Sequence, residues 1–223
     1  MIVAKFGGTS VADAAAITRV VDVIVSKQAS GPVVVVSALG GATNVLLDLA
    51  HKAAGGELLA ALELVEQLRD RHLREVHTLL DGSMAAAELA LEISASFDEL
   101  AHLAEAFRTL GYLTPRSLDT VAALGELLSS KIVAAAFRHR GYPAVWIDAR
   151  DVIKTNDFFT RAEPDVEAIA LAAHQLLLPL LQQGKIPVMG GFVGSAPGRV
   201  TTTLGRGGSD YSASLIGAAI EAT

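Results

Sequence analysis

The hydrophobic positions of the first fifty residues follow two alternating periodicities. Residues 1–6 and 33–36 are short, mostly apolar runs, and the second run consists only of valines. Between them, apolar residues recur at helical spacing from Ile17 to about residue 29, and a second helical pattern covers residues 45–54. A strand without polar alternation is buried on both faces, which is typical of parallel sheets. The pattern predicts an α/β fold in which helices cover both faces of a mostly parallel sheet.

Residues 57–110 differ from the opening, because they contain no strand candidate. Apolar residues recur at helical spacing on both sides of Asp81-Gly82-Ser83, a sequence that interrupts the pattern. We interpret this stretch as a helical insertion within a single domain that spans residues 1–223.

The second half of the chain returns to mixed elements. The patterns predict helices over residues 117–139 and 165–183, strands over 143–147 and 186–189, and a hairpin over 194–203. A last helix is predicted to begin at Ser209. The capping-box pattern that starts at Ser10 likewise predicts a helix directly after the first glycine pair.

Composition narrows the class of protein. The 223 residues are 51% hydrophobic and 19% charged, and they include no cysteine. This length supports one large domain or two small ones, with enough buried surface to need no disulfide or structural metal. The lack of cysteine excludes thiolate metal sites and cysteine nucleophiles. The composition is that of a globular enzyme or binding domain, and it differs from that of a disordered chain.

Charge and hydropathy exclude further classes. The net charge of −6 argues against nonspecific attraction to nucleic acid or to an anionic membrane. The most apolar long stretch, residues 168–181, is too short to span a bilayer. No basic segment followed by an apolar core stands at the N-terminus, so we expect no secretory signal and a cytoplasmic protein.

Three glycine-containing turns carry the candidate chemistry. They cover residues 5–10 (KFGGTS), 37–44 (SALGGATN) and 205–210 (GRGGSD), and each precedes a predicted helix. In an open α/β sheet such turns gather beyond the carboxyl ends of the strands, where helix N-termini attract anions. Lys5 and Arg206 add full positive charges. Because neither a P-loop nor a Gly-x-Gly-x-x-Gly motif is present, the turns predict a phosphate-bearing ligand held by a different arrangement.

The sequences of two of these turns resemble the signatures of aspartate kinases, which belong to the amino acid kinase family. KFGGTSV at residues 5–11 is similar to the N-terminal signature of that family, and TTTLGRGGSDY at residues 201–211 is similar to the second. Shorter matches follow in the family's order: VVSA at 35–38, TN at 43–44, LGELLS at 124–129 and KTND at 154–157. The helical stretch 57–110 resembles that of the longer aspartate kinases. The resemblance covers the whole chain.

The resemblance implies the amino acid kinase fold and a specific reaction. ATP, with Mg²⁺, phosphorylates the β-carboxylate of L-aspartate to 4-phospho-L-aspartate, the first step of lysine, threonine and methionine biosynthesis. A carboxylate with a pKa of about 3.9 is already ionised at pH 7, so the reaction needs no general base. The obstacle is the repulsion between two anions, and it calls for cations, backbone donors and positioning.

Individual roles are also implied by the resemblance. The implied catalytic residues are Lys5 and Asp210. The implied ATP and phosphate site comprises Lys5, Phe6, Gly7, Gly8, Ser10, Gly207 and Gly208. The implied aspartate site comprises Ser37, Thr43, Glu126, Phe192, Arg206 and Ser209. Within it, Glu126 would bind the ammonium group and Arg206 a carboxylate, and no residue is implied as a metal ligand.

Several of these residues also have a purely structural interpretation. Glu126 lies on a helix face where a glutamate is usually solvated. Thr43 and Ser209 occupy positions that suit helix N-caps, and Phe192 is equally suited to core packing. The six histidines show no metal-like spacing, and we interpret them as structural or solvated.

The resemblance also bears on what lies beyond residue 223. Aspartate kinases continue into a Trp-Thr-Asp type loop that binds adenosine, a second active-site lysine and regulatory ACT domains. We therefore expect these residues to be the N-terminal, aspartate-binding part of a longer homo-oligomeric enzyme, with little or no activity alone. Two alternatives stay open: a kinase acting on glutamate or acetylglutamate, and a noncatalytic amino-acid-binding or assembly domain.

Overall fold

A parallel sheet of four strands forms the centre of the computed structural model, which describes all 223 residues. The strands are β1 (Ile2–Phe6), β2 (Pro32–Val36), β3 (Ala144–Ile147) and β4 (Ile186–Gly190). Their spatial order is β1-β2-β4-β3, and every pairing is parallel. Phe6 lies opposite Val36, which in turn lies opposite Gly190, so the carboxyl ends of three strands meet at one edge. The predicted α/β class is confirmed.

Helices cover the sheet and make up most of the remaining chain. They are α1 (Ala14–Val25), α2 (Ala42–Ala54), α3 (Leu58–Leu80), α4 (Met84–Leu110), α5 (Pro115–His139), α6 (Ala149–Val152), α7 (Val166–Leu176), α8 (Leu178–Gln182) and α9 (Gly208–Ala219). The predicted hairpin is confirmed as the antiparallel pair β5 (Val193–Ala196) and β6 (Val200–Thr203).

The valines of β2 divide the interior into two cores. Val34 and Val36 belong to the larger core, to which α1 to α5 contribute, whereas Val33 and Val35 belong to the smaller core with α6, α7 and α9. Successive side chains of a strand point to opposite faces. All of β2 is buried, and the expectation that helices cover both faces of this strand is confirmed.

Helices α3 and α4 occupy the stretch 57–110, which is helical as predicted and which we interpret as an insertion. The chain turns between them at Asp81, whose φ of 47° is left-handed, and the Ser83 side chain caps α4 by accepting a hydrogen bond from Ala86 N–H. The buried side chains of both helices belong to the larger core: Ala61, Val65, Leu68, Val76, Leu80, Ala86, Leu89, Ile93, Phe97, Leu100, Ala104 and Phe107. The insertion therefore shares its core with α2 and α5.

Helix α5 is long and apolar enough to cross a bilayer by length and composition, but 78% of its apolar window is buried inside the protein. Its apolar character is explained by packing against the sheet and the insertion. Residues 168–181, which the hydropathy pattern singles out, form parts of two shorter helices that are separated at Leu177. The single helix predicted over 165–183 is thus wrong in this detail.

The predicted helix starts at the glycine turns are also wrong in detail. Ser10 does not cap α1, because it lies within a 3-10 turn (Gly8–Val11) where its N–H bonds to the Gly7 carbonyl at 2.9 Å. Asp13 has the extended backbone that an N-cap needs, and its carboxylate accepts a hydrogen bond from Ala16 N–H. Helix α1 ends at Val25, before the predicted boundary.

Neither of the two candidate hydroxyl caps is an N-cap. The N-cap positions of α2 and α9 are Gly41 and Gly207, both with left-handed φ angles near those favoured by glycine, 78° and 76°. Thr43 and Ser209 follow inside the first helical turn. Their hydroxyls are thereby free for other contacts.

Candidate active site

The candidate site is a polar cleft of about 620 Å³ at the carboxyl edge of the sheet. It is built where the end of β1, the turn after β2, the starts of α2 and α9, and one face of α5 converge. The cleft is lined by Lys5, Ser37, Thr43, Asn44, Leu47, His51, Leu118, Asp119, Ala122, Glu126, Thr160, Phe192, Thr203 and residues 205–210. The location agrees with the general rule that ligands of open α/β sheets bind beyond the carboxyl ends of the strands.

The cleft brings together both implied catalytic residues, Lys5 and Asp210, and all six residues of the implied aspartate site. From the implied phosphate site, Gly207 and Gly208 also line it. The other members of that set, which do not line the cleft, are Phe6, Gly7, Gly8 and Ser10. The cleft thus unites residues that are more than two hundred positions apart in the chain, such as Lys5 and Asp210.

Lys5 and Asp210 form an ion pair across the cleft. Lys5 Nζ lies 2.9 Å from Asp210 Oδ1, and the two side chains are 23% and 74% exposed. Lys5 is the penultimate residue of β1, whereas Asp210 belongs to the first turn of α9. The pair is therefore a charged contact between the sheet and a helix N-terminus, accessible to a ligand from the cleft.

Glu126 is buried in the wall of the cleft, with only 5% of its surface exposed. Ser209 Oγ donates hydrogen bonds to both of its carboxylate oxygens, at 3.1 and 3.2 Å. Burial raises the pKa of Glu126 to about 8, while hydrogen bonds from Ser209 and Ala38 N–H and the charge of Lys5 oppose the rise. The alternative interpretation as a solvated glutamate is wrong, because α5 is covered on this face as well.

Three glycines allow the elements around Glu126 to approach closely. A Cβ on Gly190 would lie 2.9 Å from the Glu126 carbonyl oxygen, and one on Gly191 would lie 2.7 Å from Ser209 Cα. A Cβ on Gly208 would lie 2.7 Å from the Phe192 ring. These separations are too short for a side chain, so the glycines set the position of Ser209 against Glu126.

Phe192 contributes to the cleft through both backbone and ring. Its φ of 62° is unusual for a non-glycine residue. Its N–H donates to Ser212 Oγ at 2.9 Å, and its carbonyl accepts a hydrogen bond from Leu204 N–H at 2.9 Å. The residue therefore connects β5 to both the loop before α9 and the helix itself.

The first two glycine turns pack against each other beside the cleft. Ser37 N–H donates to the Phe6 carbonyl at 3.0 Å, and a Cβ on Gly40 would lie 3.2 Å from the Gly8 carbonyl oxygen. Gly7 stands next to the lysine, with its Cβ position 3.6 Å from Lys5 Nζ. Together these contacts fix the backbone that leads away from Lys5.

The inserted helix α3 holds the same two turns. Arg71 donates to the carbonyls of Gly40 and Ala12, at 2.7 and 3.0 Å, and the buried carboxylate of Glu75 accepts from Ala14 N–H at 2.7 Å. The insertion is thus a support for the turns, a role that helical periodicity does not reveal.

Asp119 is a site residue that the sequence reasoning missed. It lies on α5, is 1% exposed, and lines the cleft seven residues before Glu126. Positions seven apart fall on nearly the same face of a helix. That spacing between two acidic residues is the signal that was available in the sequence.

One of the six histidines, which we interpret as structural or solvated, lies at the cleft. His51 lines the cleft from α2 and is exposed. No group of three or more histidine, aspartate or glutamate side chains is arranged to hold a metal ion.

Comparison with known proteins gives a consistent result. Residues 1–223 match the amino acid kinase family. The chain is 38% identical over 223 residues to lysine-sensitive aspartokinase 3 of Escherichia coli. The matched region covers 100% of this chain and 47% of that protein.

Solved structures show the same similarity. The fold is similar to E. coli aspartokinase III in complex with lysine and aspartate (T-state), with a TM-score of 0.89, and to that protein in complex with aspartate and ADP (R-state), with a TM-score of 0.85. Both are 38% identical, and the similarity covers 100% of this chain and 47% of theirs. The chain spans about half the length of the curated relatives that it matches.

Proposed function

The chain belongs to the amino acid kinase family, and we propose that it provides the aspartate site of an enzyme that phosphorylates L-aspartate with ATP. The product is 4-phospho-L-aspartate. One observation carries the proposal: a single polar cleft joins the buried carboxylate of Glu126, the guanidinium of Arg206 and the ion pair of Lys5 with Asp210. The aspartokinase structures to which the fold is similar contain aspartate, and one also contains ADP.

The cleft has the charges that an α-amino dicarboxylate requires. Glu126 would bind the ammonium group, and the Arg206 guanidinium would bind a carboxylate through two hydrogen bonds. Ser37, Thr43 and Ser209 offer hydroxyl groups on the same walls. An N-acylated amino acid lacks the cation that Glu126 would pair with, so the arrangement favours a free amino acid.

Lys5 would act on the transferred phosphoryl group. An oxygen of the substrate β-carboxylate attacks the γ-phosphorus of ATP, the bond from phosphorus to the bridging oxygen breaks, and ADP leaves. Lys5 reduces the repulsion between the two anions, and the backbone N–H groups at the start of α9 face the same space. Asp210 orients the Lys5 ammonium, to which it is paired.

Mg²⁺ belongs to the proposed reaction as the companion of the nucleotide. It keeps several waters and is usually held by one or two carboxylates together with substrate phosphates. The donor set of the cleft fits this requirement, because it offers one accessible carboxylate, that of Asp210. The other two carboxylates of the cleft, Asp119 and Glu126, are buried and already hydrogen-bonded. Asp210 would contact the cation, which supplies additional neutralisation of phosphate charge.

Calorimetric titration with L-aspartate tests the substrate site directly. The Arg206→Ala variant should bind L-aspartate about 10- to 100-fold more weakly, because it loses a charge-assisted hydrogen-bonded pair. Arg199→Ala is a matched control, since Arg199 is also an exposed arginine but pairs with Asp148 and Asp151 away from the cleft. Equal losses in the two variants would contradict the assignment of Arg206.

A substrate panel tests the reaction. L-Aspartate, L-glutamate and N-acetyl-L-glutamate are each supplied together with MgATP. Their reactions are compared by coupled ADP release and by hydroxylamine trapping of the acyl phosphate. Trapped product from L-aspartate supports the proposal, whereas product from glutamate or acetylglutamate alone would assign another amino acid kinase. Aspartate binding without any nucleotide binding would instead favour a noncatalytic amino-acid-binding domain.

The proposal includes a homo-oligomeric state for the whole protein. Helix α7 exposes Val166, Leu171 and Leu176, which are 60%, 61% and 39% accessible. Apolar side chains of this kind are candidates for contact with a second subunit. Sedimentation velocity of the whole protein tests this point, and a monomer at micromolar concentration would contradict it.

A further inference from the structure

Asp119 accepts hydrogen bonds from two segments that are distant in the sequence. Thr160 N–H points at both carboxylate oxygens, at 3.0 and 2.9 Å. Thr203 donates twice, through its N–H at 3.0 Å and its Oγ1 at 2.6 Å. Burial raises the pKa of Asp119, and the hydrogen bonds from Thr203 and Thr160 oppose the rise because they favour the ionised carboxylate.

The two segments meet beneath the loop that carries Arg206. Thr203 is the last residue of β6, and Arg206 follows three positions later. Thr160 has a φ of 69°, which is unfavourable for a β-branched residue. Gly205 lies close to it, since a Cβ on Gly205 would be 3.1 Å from the Thr160 carbonyl oxygen. Asp119 thereby holds a strained residue directly under the Arg206 loop.

Helix α5 anchors this loop at both ends. Asp119 binds Thr203 at the start of the loop, and Glu126, two turns further along α5, binds Ser209 just after its end. Between these anchors Arg206 is exposed and has no ion pair with another residue. The position of the guanidinium therefore depends on the backbone that carries it.

We propose that Asp119 is a positioning residue for substrate recognition: by tying Thr160 and Thr203 to α5, it holds Arg206 at the distance from Glu126 that fits an α-amino acid. The inference rests on the proposed function, because the ligand that Arg206 and Glu126 recognise is L-aspartate. Asp119 itself acts through the loop and is not proposed to touch the substrate.

The Asp119→Asn variant tests this role. Thr160 N–H bonds to both carboxylate oxygens, so in either orientation of the amide one of its two acceptors is replaced by an NH₂ group, and this anchor is weakened. We expect a dissociation constant for L-aspartate at least about tenfold higher than that of the wild type, with ADP affinity changed less than about twofold. Calorimetry on the folded variant measures both, and an unchanged aspartate affinity would overturn the proposal.

Asp148→Asn provides the matched control. Asp148 is also a buried carboxylate, 7% exposed, and it pairs with Arg150, which in turn donates to Thr201 of the same hairpin. It does not line the cleft. We expect this variant to lose stability while it keeps the aspartate affinity of the wild type. An equal loss of affinity in both variants would reduce Asp119 to a structural role and overturn the proposal.

A double-mutant cycle with Arg206 separates positioning from general destabilisation. If Asp119 acts through Arg206, Asp119→Asn should have little further effect on aspartate affinity in the Arg206→Ala background. Fully additive losses would overturn the proposal.

Thr203 offers a milder substitution for the case that Asp119→Asn does not fold. Thr203→Val removes the 2.6 Å hydrogen bond to Asp119, and Thr203→Ser restores it. We expect weaker aspartate binding in the first variant and recovery in the second, and identical binding in both would overturn the proposal. If the wild-type chain binds no L-aspartate, the proposed function is overturned together with this inference. If the wild type binds L-aspartate but the variants bind it equally well, this inference alone is overturned.

Discussion

Lys5 Nζ lies 2.9 Å from Asp210 Oδ1, and this contact joins the end of strand β1 to the first turn of helix α9. The two residues are more than two hundred positions apart in the sequence. Both side chains are accessible from the cleft, so the ammonium can exchange part of its contact with Asp210 for a phosphate oxygen without a change of fold. This exchange is the basis of the first prediction.

Lys5→Met should weaken nucleotide binding with little effect on stability. A partly exposed ion pair contributes less than about 1 kcal/mol to folding, whereas a lost charge on a phosphate costs about tenfold or more in affinity. Titration with ADP and thermal unfolding measure the two quantities. Lys27→Met, a substitution of an exposed lysine outside the cleft, is the control. A large drop in melting temperature with intact ADP affinity would contradict the prediction.

Binding of L-aspartate at pH 7 should release roughly one proton per site. With a pKa of about 8, Glu126 is mostly protonated in the free protein at pH 7, and a bound ammonium group favours the ionised form. Aspartate affinity should therefore rise with pH up to about 8. Calorimetry in buffers of different ionisation enthalpy measures the proton count.

Glu126→Gln should abolish both the proton release and the rise of affinity with pH. Glu221→Gln is the control, because Glu221 is exposed near the end of the chain and does not line the cleft. Proton release that persists in the Glu126 variant would show that another group titrates on binding.

His72 should destabilise the fold in acid. It is 1% exposed between α3 and α4, its Nδ1–H donates to the Leu68 carbonyl, and its Nε2 has no partner. Burial lowers the pKa of His72 to about 4. The unfolded chain therefore binds a proton more readily, and stability is lost as the pH falls from 6.5 toward 4.

His72→Leu should be less sensitive to acid than the parent protein. Its free energy of unfolding relative to the parent should rise as the pH falls through this range, as measured by urea unfolding at several pH values. His77→Leu removes an exposed histidine of the same helix and should leave the dependence unchanged. A constant difference between parent and His72→Leu from pH 7 to 4 would argue against a buried neutral imidazole.

Gly191→Ala should impair both stability and aspartate binding. The Cβ of the new alanine would lie 2.7 Å from the Cα of Ser209 and 2.8 Å from the Cβ of Ser209. Ser209 must therefore move away from Glu126. Overpacking of this kind costs about 1–3 kcal/mol. Denaturant unfolding and aspartate titration measure the effects.

Gly217→Ala is the matched control for this substitution. Gly217 lies within α9, and the nearest atoms to its Cβ position are 3.9 and 4.0 Å away. A helical alanine in open space should stabilise the protein by about 0.5–1 kcal/mol. If both glycine variants are equally stable, the close approach around Gly191 is not a constraint.

The local elements and the chemical character of the turns follow from the order of residues along the chain. The valine run predicted a strand covered on both faces because β-branched residues without polar alternation have no solvated side, and the turns at Gly40 and Gly207 predicted helix starts and anion binding. Lys5, Glu126 and Arg206 were identified through motifs that keep their order along the chain. These inferences depend on neighbours in sequence, which periodicity and turn chemistry report well.

The packing of the whole fold determines which groups are buried and which distant segments meet. The burial of Glu126 does not follow from its helix face, where a glutamate is usually solvated; it depends on Gly190 and Gly191, which allow β4 and α9 to approach. Asp119 received no role, because its donors at Thr160 and Thr203 lie 41 and 84 residues away. Burial and hydrogen-bond partners are sums over contacts from the whole fold, and no local pattern contains them.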